Sequence, residues 1–464
     1  MNVPNYDGVE IILNMGEFKE IKGLWWLPNA SDNQISGTLN IRNDRIVLET
    51  IGSLVEDNPI LHFAAGKVPQ YNVIWGISSD AKEVSLFNCY ESMSLNTACP
   101  FPVAKYSVQV VAIGKHIPSL DEVGNYDVKA YFDELPYWFR PNCLHFDIQE
   151  KRYTFCVDLD NANQVTVQID DDCILRLEGE TNISHDKTGM RVEVEQVSTL
   201  KFTFSNQISM RDAKQKIWGF EQFLSFATLV PVKYKRFLLI DKDKQNDRTK
   251  NSTIEIYDKK ESTLSKPERF GEYLFVYETI KDSFSSIIKK WYTEKNMFPI
   301  RAHLIDSVGH KGVFCSTDFL TIIQAVEGFY CRFREDGISL NKILSNLREE
   351  FKEISILEMS DPDIDYIRDS RHYYSHLLPP GKKPNVVDGH ELYDLNHKLR
   401  KLLLCCILNF IGFDNNEINM IFAKSHNSYL RMINGKEREI KDKEPIIING
   451  EILAVTQKTE VVPE

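Results

Sequence analysis

Apolar and polar residues alternate through much of the first 205 residues, which is the pattern of strands that bury one face. Segments 38–42 and 45–49 follow this alternation on either side of an Asn43-Asp44 turn. Many short strands separated by Gly, Asn and Asp are typical of sandwiches and barrels, so we expect such a module here. The same alternation recurs in segments 108–114, 166–170, 173–178, 192–194 and 200–204.

Helical periodicity enters at residues 212–227, and two further strands are predicted at 236–241 and 252–257. From about residue 269 to residue 423 the apolar spacing is almost entirely helical. The apolar side of the first helix holds Ile217, Phe220, Phe223 and Leu224. The later predicted helices span residues 270–291, 318–334, 340–354, 361–378, 392–411 and 415–423.

This change of periodicity predicts an α+β multidomain chain, in which a β-rich, sandwich- or barrel-like module with one or two helices precedes an all-α bundle. We place the N-terminal module at residues 1–295, the bundle at 296–434 and a charged tail, which includes a short apolar stretch, at 435–464. Trp25 and Trp26 are expected to anchor the core of the first sheet.

The composition is that of an ordinary globular protein, with 464 residues of which 42% are hydrophobic and 26% charged. The chain lacks the run of about 18 apolar residues that a membrane span needs, and its N-terminus does not resemble a signal peptide. We therefore expect a cytoplasmic protein without membrane contact. The net charge of −12 argues against broad nucleic-acid binding but permits a local basic groove. Residues 365–401 form such a patch, with seven Lys/Arg against five Asp/Glu.

Nine irregularly spaced cysteines include no Cys-x-x-Cys pair with a nearby histidine, which favours reduced thiols over a disulfide frame or a zinc site. Asp361, Asp363 and Asp365 resemble a cation site, but anions are favoured in the first turn of a helix, which explains the first two. We expect neither a metal nor another cofactor.

The strongest chemical signal is Arg371-His372-Tyr373-Tyr374-Ser375-His376, at the end of a predicted helix that Ser360 caps and Pro379-Pro380-Gly381 terminates. An imidazole titrates near neutral pH and can move the proton of a ribose 2′-hydroxyl or of a leaving oxygen. A guanidinium can bind the phosphate that lies between the 2′-hydroxyl and the leaving oxygen. The stretch therefore suits RNA cleavage without a metal, whereas its bland interpretation is a surface ion pair and a helix-end histidine.

In a uniform helix Arg371 and His376 lie about 140° apart, so they do not share a face, whereas Arg368, His372 and His376 form one stripe. Two explanations remain open at this point. Either the helix loosens before Pro379, or the motifs of two subunits meet. The neighbouring Tyr373 and Tyr374 favour packing over base stacking, and we expect His390 and His397 on the surface.

Both halves resemble one known family, the proteins with an Apea-type HEPN domain. The helical half matches in Gln324-Ala-Val-Glu327 and in Ile367-Arg-Asp-Ser-Arg-His-Tyr-Tyr-Ser-His376. The N-terminal half resembles the domain that precedes Apea-type HEPN domains, in Gly23-Leu-Trp-Trp-Leu-Pro28, Gly37-Thr-Leu39 and Ile46-Val-Leu-Glu-Thr-Ile-Gly52.

The resemblance implies a dimerising HEPN bundle that cleaves RNA as a metal-independent endoribonuclease in anti-phage defence by abortive infection. It makes Arg371 and His376 the catalytic pair, with His372 in the polar position of the motif and Glu327 as a supporting acid. Arg368 and Tyr374 are further candidates for RNA contacts. The expected partners are RNA, with tRNA as one candidate, a second copy of the chain or a higher homo-oligomer, and a phage-derived trigger sensed by the N-terminal module.

Two other functions remain open from the sequence. One is a catalytically silent HEPN module that binds RNA or protein, and the other is a glycan- or peptide-binding protein built on the N-terminal sheet. Substitution of Arg371 or His376 distinguishes them, because only a nuclease loses RNA cleavage while it keeps its fold.

Overall fold

A computed structural model describes residues 19–42, 44–54, 69–93, 103–149, 152–185, 192–244, 253–259, 273–309, 316–379 and 381–425. It also describes four two-residue strands in the tail, which pair as two short hairpins. The predicted α+β class is confirmed, since strands dominate the first half and helices the second. No helix among the described residues is long and apolar enough to span a bilayer.

Among the described residues, one antiparallel sheet of 13 strands dominates the N-terminal half, and its first six strands close into a barrel. Closure arises because β5 pairs with both β4 and β6 while β1, β2 and β3 bridge the other side. The barrel strands are β1 (Lys19–Trp26), β2 (Ile35–Ile41), β3 (Ile46–Ile51), β4 (Gln70–Ser78), β5 (Glu83–Met93) and β6 (Val103–Ser107).

Trp25 fills this barrel, and glycines on neighbouring strands make room for it. A Cβ atom on Gly76 would lie 2.3 Å from Trp25 Cε3, and one on Gly37 would lie 3.0 Å from Trp25 Cδ1. Trp25 is fully buried in the barrel core, which confirms the prediction for this residue. Trp26 is nearly buried but packs edge-on against His116 and is not part of that core.

The first half of β5 also pairs with β7, which carries the sheet out of the barrel into a second, open layer. The open-layer strands are β7 (Val110–Ile113), β9 (Tyr126–Phe132), β12 (Gln164–Asp170), β13 (Cys173–His185), β14 (Val192–Phe204), β16 (Tyr234–Asp241) and β17 (Thr253–Asp258). The elements outside this sheet are β8 (Val123–Gly124), α1 (Leu135–Trp138), β10 (Leu144–Gln149), β11 (Arg152–Val157) and β15 (Ile208–Ser209), with a 3₁₀ turn at Lys242–Lys244.

Helix α2 (Met210–Thr228) packs its apolar side into the core between this layer and the later helices. A capping box starts it, in which Ser209 and Asp212 satisfy each other's backbone N–H groups. Its predicted apolar face is confirmed, because the four side chains expected there are all fully buried: Ile217, Phe220, Phe223 and Leu224.

The second half is helical. The predicted single helix over 270–291 is wrong within the described residues, because the chain turns at Lys281–Ser283, where the Ser283 N–H donates to Ile280 O. Phe270 lies outside the described residues. The helices are α3 (Tyr277–Ile280), α4 (Phe284–Thr293), α5 (Phe298–Gly309), α6 (Ser316–Phe333), α7 (Leu340–Glu350), α8 (Asp361–His376), α9 (Gly389–Ile411) and α10 (Asn415–Lys424), with a 3₁₀ turn at Lys295–Met297. The tail hairpins comprise β18 (Met432–Ile433), β19 (Lys436–Glu437), β20 (Ile447–Ile448) and β21 (Glu451–Ile452).

The two halves share one apolar core, which continues from the open layer into the bundle without a break at residue 295. Polar contacts also join them. The buried Arg301 guanidinium on α5 donates to Gln222 Oε1 on α2 at 3.0 Å and to Trp291 O on α4 at 2.6 Å. The division of the chain at 295 and 434 stays a prediction.

Candidate functional site

Local sequence fixes both ends of α8, the helix that carries the arginine–histidine motif. Ser360 caps its N-terminus and forms a capping box with Asp363, as the serine predicts. The helix ends at His376, where Leu377 turns into the left-handed conformation and its N–H donates to Tyr373 O. The predicted stop before the double proline is therefore confirmed, two residues earlier than Leu378.

Helix α8 is held against α9 by a buried carboxylate. Lys398 Nζ lies 2.9 Å from both carboxylate oxygens of Asp363. Burial alone would raise the pKa of Asp363, but hydrogen bonds from Ser360 and Lys398 outweigh it and hold that pKa below its ordinary value. With Ile364 and Ile367 in the core, this pair fixes the position of the motif relative to the bundle.

Arg371 reaches across to α6, where its Nη2 donates to Glu327 Oε2 at 3.3 Å. Both side chains are partly exposed, at 35% for Arg371 and 23% for Glu327. The structure thus brings together the motif arginine and the acid for which the sequence predicted a supporting role. Within the described part of the chain, Glu327 is the hydrogen-bond partner of the Arg371 side chain, so most of its five donors are unused there.

The two motif histidines lie side by side one helical turn apart. The ring centroids of His372 and His376 are 4.8 Å apart and the rings are inclined by 61°. His376 is exposed and His372 is partly buried. Both imidazoles can therefore reach one small ligand group. One ring can accept a proton from one atom of that group, and the other ring can donate a proton to another atom.

The electrostatic surroundings of His372 favour its neutral form. Partial burial lowers the pKa of the His372 ring below its ordinary value, and the positive charges of Lys383, His376 and Arg371 lower it further. The Asp369 carboxylate acts in the opposite direction. A neutral imidazole at physiological pH can accept a proton, so this ring is equipped as a general base.

Arg371 and His376 point to different neighbours within one chain. Helix α8 is regular through His376, so the predicted loosening before Pro379 is wrong for the helix as described. Arg371 contacts Glu327, whereas the ring contact of His376 is with His372. The other explanation, in which the motifs of two subunits meet, stays a prediction.

Arg368 and Tyr374, the predicted additional RNA contacts, both have partners inside the chain. Arg368 donates to Asp365 at 2.7 Å and to Asp369 at 2.9 Å. The Tyr374 hydroxyl donates to Val387 O at 2.9 Å, and burial, with a smaller effect of a nearby carboxylate, raises its pKa to about 12. These contacts explain both residues structurally, and the RNA contacts stay a prediction.

The three aspartates at the start of α8 each have a cation partner of their own. Asp361 accepts from Arg348 at 2.6 Å, and Asp363 and Asp365 accept from Lys398 and Arg368. Across the described ranges no group of three or more His, Cys, Asp or Glu side chains is arranged to hold a metal ion.

His397 corrects a sequence prediction, because it is buried with only 6% of its surface exposed. The other helices of the bundle enclose α9 along most of its length. The polar residue His397 therefore lies in the interior of the bundle. The ring packs edge-on against Tyr393 at 4.4 Å, and burial lowers its pKa to about 3, with Arg400 and Lys401 acting in the same direction. His390, at the start of the helix, is exposed as expected.

Sequence reasoning overlooked Lys383, which acts on His372 from the segment after α8. It was counted only as part of the basic patch over 365–401. Charge counting cannot assign it to the motif, because its position depends on how that segment folds back.

Comparison with protein families gives two matches. Residues 20–291 match the family described as ApeA N-terminal domain 1, and residues 320–417 match the Apea-like HEPN family. The second match contains the α6 acid and the whole motif of α8. Comparisons with curated proteins and with solved structures returned no match.

Proposed function

Because this chain belongs to the ApeA family, in which an ApeA N-terminal domain precedes an Apea-like HEPN domain, we propose that it is a metal-independent endoribonuclease of anti-phage defence. One observation carries the proposal. Arg371, paired with Glu327, and the adjacent rings of His372 and His376 lie in the last two turns of α8, where all three side chains reach solvent.

The proposed reaction is transesterification at a ribose phosphodiester. His372, whose depressed pKa favours the neutral ring, takes the proton of the 2′-hydroxyl as the oxygen attacks phosphorus. His376 gives a proton to the departing 5′-oxygen. Arg371 stabilises the negative charge on the non-bridging oxygens of the pentacoordinate state. The products carry a 2′,3′-cyclic phosphate and a 5′-hydroxyl, and DNA is not cut because it lacks the 2′-hydroxyl.

Two copies of the chain complete the proposed cleft. Within one chain Arg371 is drawn towards α6 and His376 lies on the stripe of His372. In a uniform helix positions 371 and 376 are about 140° apart, so one chain presents the guanidinium and the second imidazole in different directions. Apposed α8 ends of two subunits bring a guanidinium of one copy towards imidazoles of the other, which supports a homodimer as the active form.

The N-terminal module is proposed to sense a phage-derived trigger and to regulate the nuclease. The continuous core supports this role, because a rearrangement around α2 must also move α4 and α5. The abortive outcome follows from the reaction itself, since cleavage of cellular RNA stops growth.

Sequencing of RNA ends after induction, in infected and uninfected cells, tests the proposal. Wild type should generate new ends with 2′,3′-cyclic phosphates, and purified protein should cut RNA in the presence of a chelator. Arg371→Ala and His376→Ala should each lower the rate at least about 10²-fold, since each removes a group that acts on the reacting atoms.

His390→Gln is the matched control, because His390 is an exposed histidine outside the motif. It should cleave like wild type, and all variants should keep the wild-type melting temperature. Cleavage that survives Arg371→Ala and His376→Ala would assign the activity elsewhere. The absence of cleavage by wild type under every condition would instead favour a silent HEPN module.

A further inference from the structure

The segment that follows the double proline folds back along α8 instead of leaving it. We call residues 381–387 the return segment. The Val387 N–H donates to the fully buried Ser370 Oγ at 3.1 Å, and Val387 O accepts from the Tyr374 hydroxyl at 2.9 Å. Two hydrogen bonds to one residue, from positions one turn apart on α8, fix both the place and the direction of the segment's end.

A third contact fixes its middle. Asn385 Nδ2 donates at 3.0 Å to Asp369 Oδ2, while the other oxygen of that carboxylate accepts from Arg368 Nε at 2.9 Å. Burial would raise the pKa of Asp369, but Arg368 and Asn385 hold it below the ordinary value, so the carboxylate stays charged. The return segment is therefore anchored to three positions of the motif helix.

Lys383 lies two positions before Asn385, whose side chain is fixed on Asp369 of the motif helix. The Lys383 side chain is partly buried, and its charge acts on the His372 ring. Arg368 and Lys398 are neutralised by carboxylates at hydrogen-bond distance, whereas no carboxylate lies within ion-pair distance of Lys383 among the residues described here. Within these residues, a partly buried lysine on an anchored segment thus has no acid beside it and contributes an uncompensated positive charge near the end of α8.

We propose that Lys383 binds a backbone phosphate of the substrate RNA, with the return segment as its scaffold. This inference rests on the proposed function, and it adds a binding residue outside the arginine–histidine motif. An ammonium group is a compact point charge that suits a phosphate oxygen. The folded segment fixes its backbone in advance, so less ordering is needed when RNA binds. The contribution of Lys383 is to affinity rather than to proton transfer.

Binding of a fluorescent single-stranded RNA to the full-length chain tests the proposal. His376→Ala serves as the background, so that the RNA stays intact. Adding Lys383→Gln should weaken binding roughly fivefold at moderate salt and reduce the slope of log affinity against log salt by about 0.7, as the loss of one phosphate contact predicts. Lys382→Gln is the matched control, because Lys382 is the adjacent, exposed lysine. It should change neither quantity.

A second measurement needs no RNA. In the full-length chain labelled with ¹⁵N-histidine, Lys383→Gln should raise the pKa of His372, because it removes a charge that lowers it. The other charges that act on this ring, those of His376, Arg371 and Asp369, are unchanged by the substitution. Asn385→Ala should shift the pKa of His372 in the same direction by less, because it loosens the segment without removing the charge.

The outcomes separate the two proposals. Weaker binding with a smaller salt slope in Lys383→Gln alone supports the inference. Equal binding by Lys383→Gln and Lys382→Gln, or an unchanged His372 pKa, overturns it and leaves the proposed nuclease intact. If the His376→Ala chain binds no RNA at any salt concentration, both fail.

Discussion

The buried ring of His397 should make the bundle sensitive to acid. It lies in the middle of α9, packed edge-on against Tyr393, and Arg400 and Lys401 follow within one turn. An added proton there would place a third positive charge in an enclosed region. The perturbation that we consider is acidification from pH 7 to pH 5, compared in wild type and in His397→Phe, whose aromatic ring does not titrate.

The sign and size follow from proton linkage. Burial lowers the pKa of His397 to about 3, whereas the unfolded chain has the ordinary value of about 6.5. Between these values the unfolded state binds more protons, so the free energy of unfolding falls as pH falls below about 6.5. At about 1.4 kcal/mol per pH unit, the loss from this residue at pH 5 is roughly 2 kcal/mol, and above pH 7 it is negligible.

Urea unfolding followed by far-ultraviolet circular dichroism measures the effect at both pH values. Wild type should lose roughly 2 kcal/mol more between pH 7 and pH 5 than His397→Phe does. His390→Gln, which alters an exposed histidine of the same helix, should behave as wild type. Identical pH dependence in wild type and His397→Phe would refute the reasoning, whatever the stability of the variant at pH 7.

Three further substitutions test the barrel core, a buried ion pair and the cap of the motif helix. Gly76→Ala places a Cβ atom 2.3 Å from the Trp25 ring, so the melting temperature should fall by an amount equivalent to about 1–3 kcal/mol or more. Asp318→Ala removes the buried carboxylate that pairs with Arg400, and urea unfolding should show a loss of about 3–5 kcal/mol. Ser360→Ala removes the cap of α8 and should cost about 1 kcal/mol by the same method, without change to the chemistry of the motif.

Local sequence patterns predicted much of the fold. Alternation predicted β2 and β3 and the later strands of the open layer, and helical spacing predicted α2, α6, α7, α9 and α10 within a few residues. Helical spacing gave a wrong prediction at residues 270–291, where a turn at Ser283 interrupts an otherwise helical apolar pattern. Local patterns could not predict that the barrel closes. A strand that changes its pairing partner along its length, as β5 does, leaves no periodic signal in the sequence.

The candidate site likewise has some features that the sequence predicts and others that it does not. The arginine–histidine spacing and the ends of α8 are local properties, and the sequence predicts them. A supporting role for Glu327 was expected from family resemblance, but only the structure shows its contact with Arg371, 44 positions away. The burial of His397 was missed because a histidine on an apolar helix is compatible with surface and core alike until the helices around it are placed.

The sequence by itself determined the element types, the capped and proline-terminated motif helix, and the chemistry that an imidazole and a guanidinium bring. These properties depend on dihedral preferences and hydrogen bonds within a few residues. Only the tertiary structure decided that Arg371 turns to α6, that the return segment is anchored along α8, and that the barrel closes around Trp25. The reason is physical, since such placements depend on which distant surfaces exclude water from each other, and no local window of the chain records that choice.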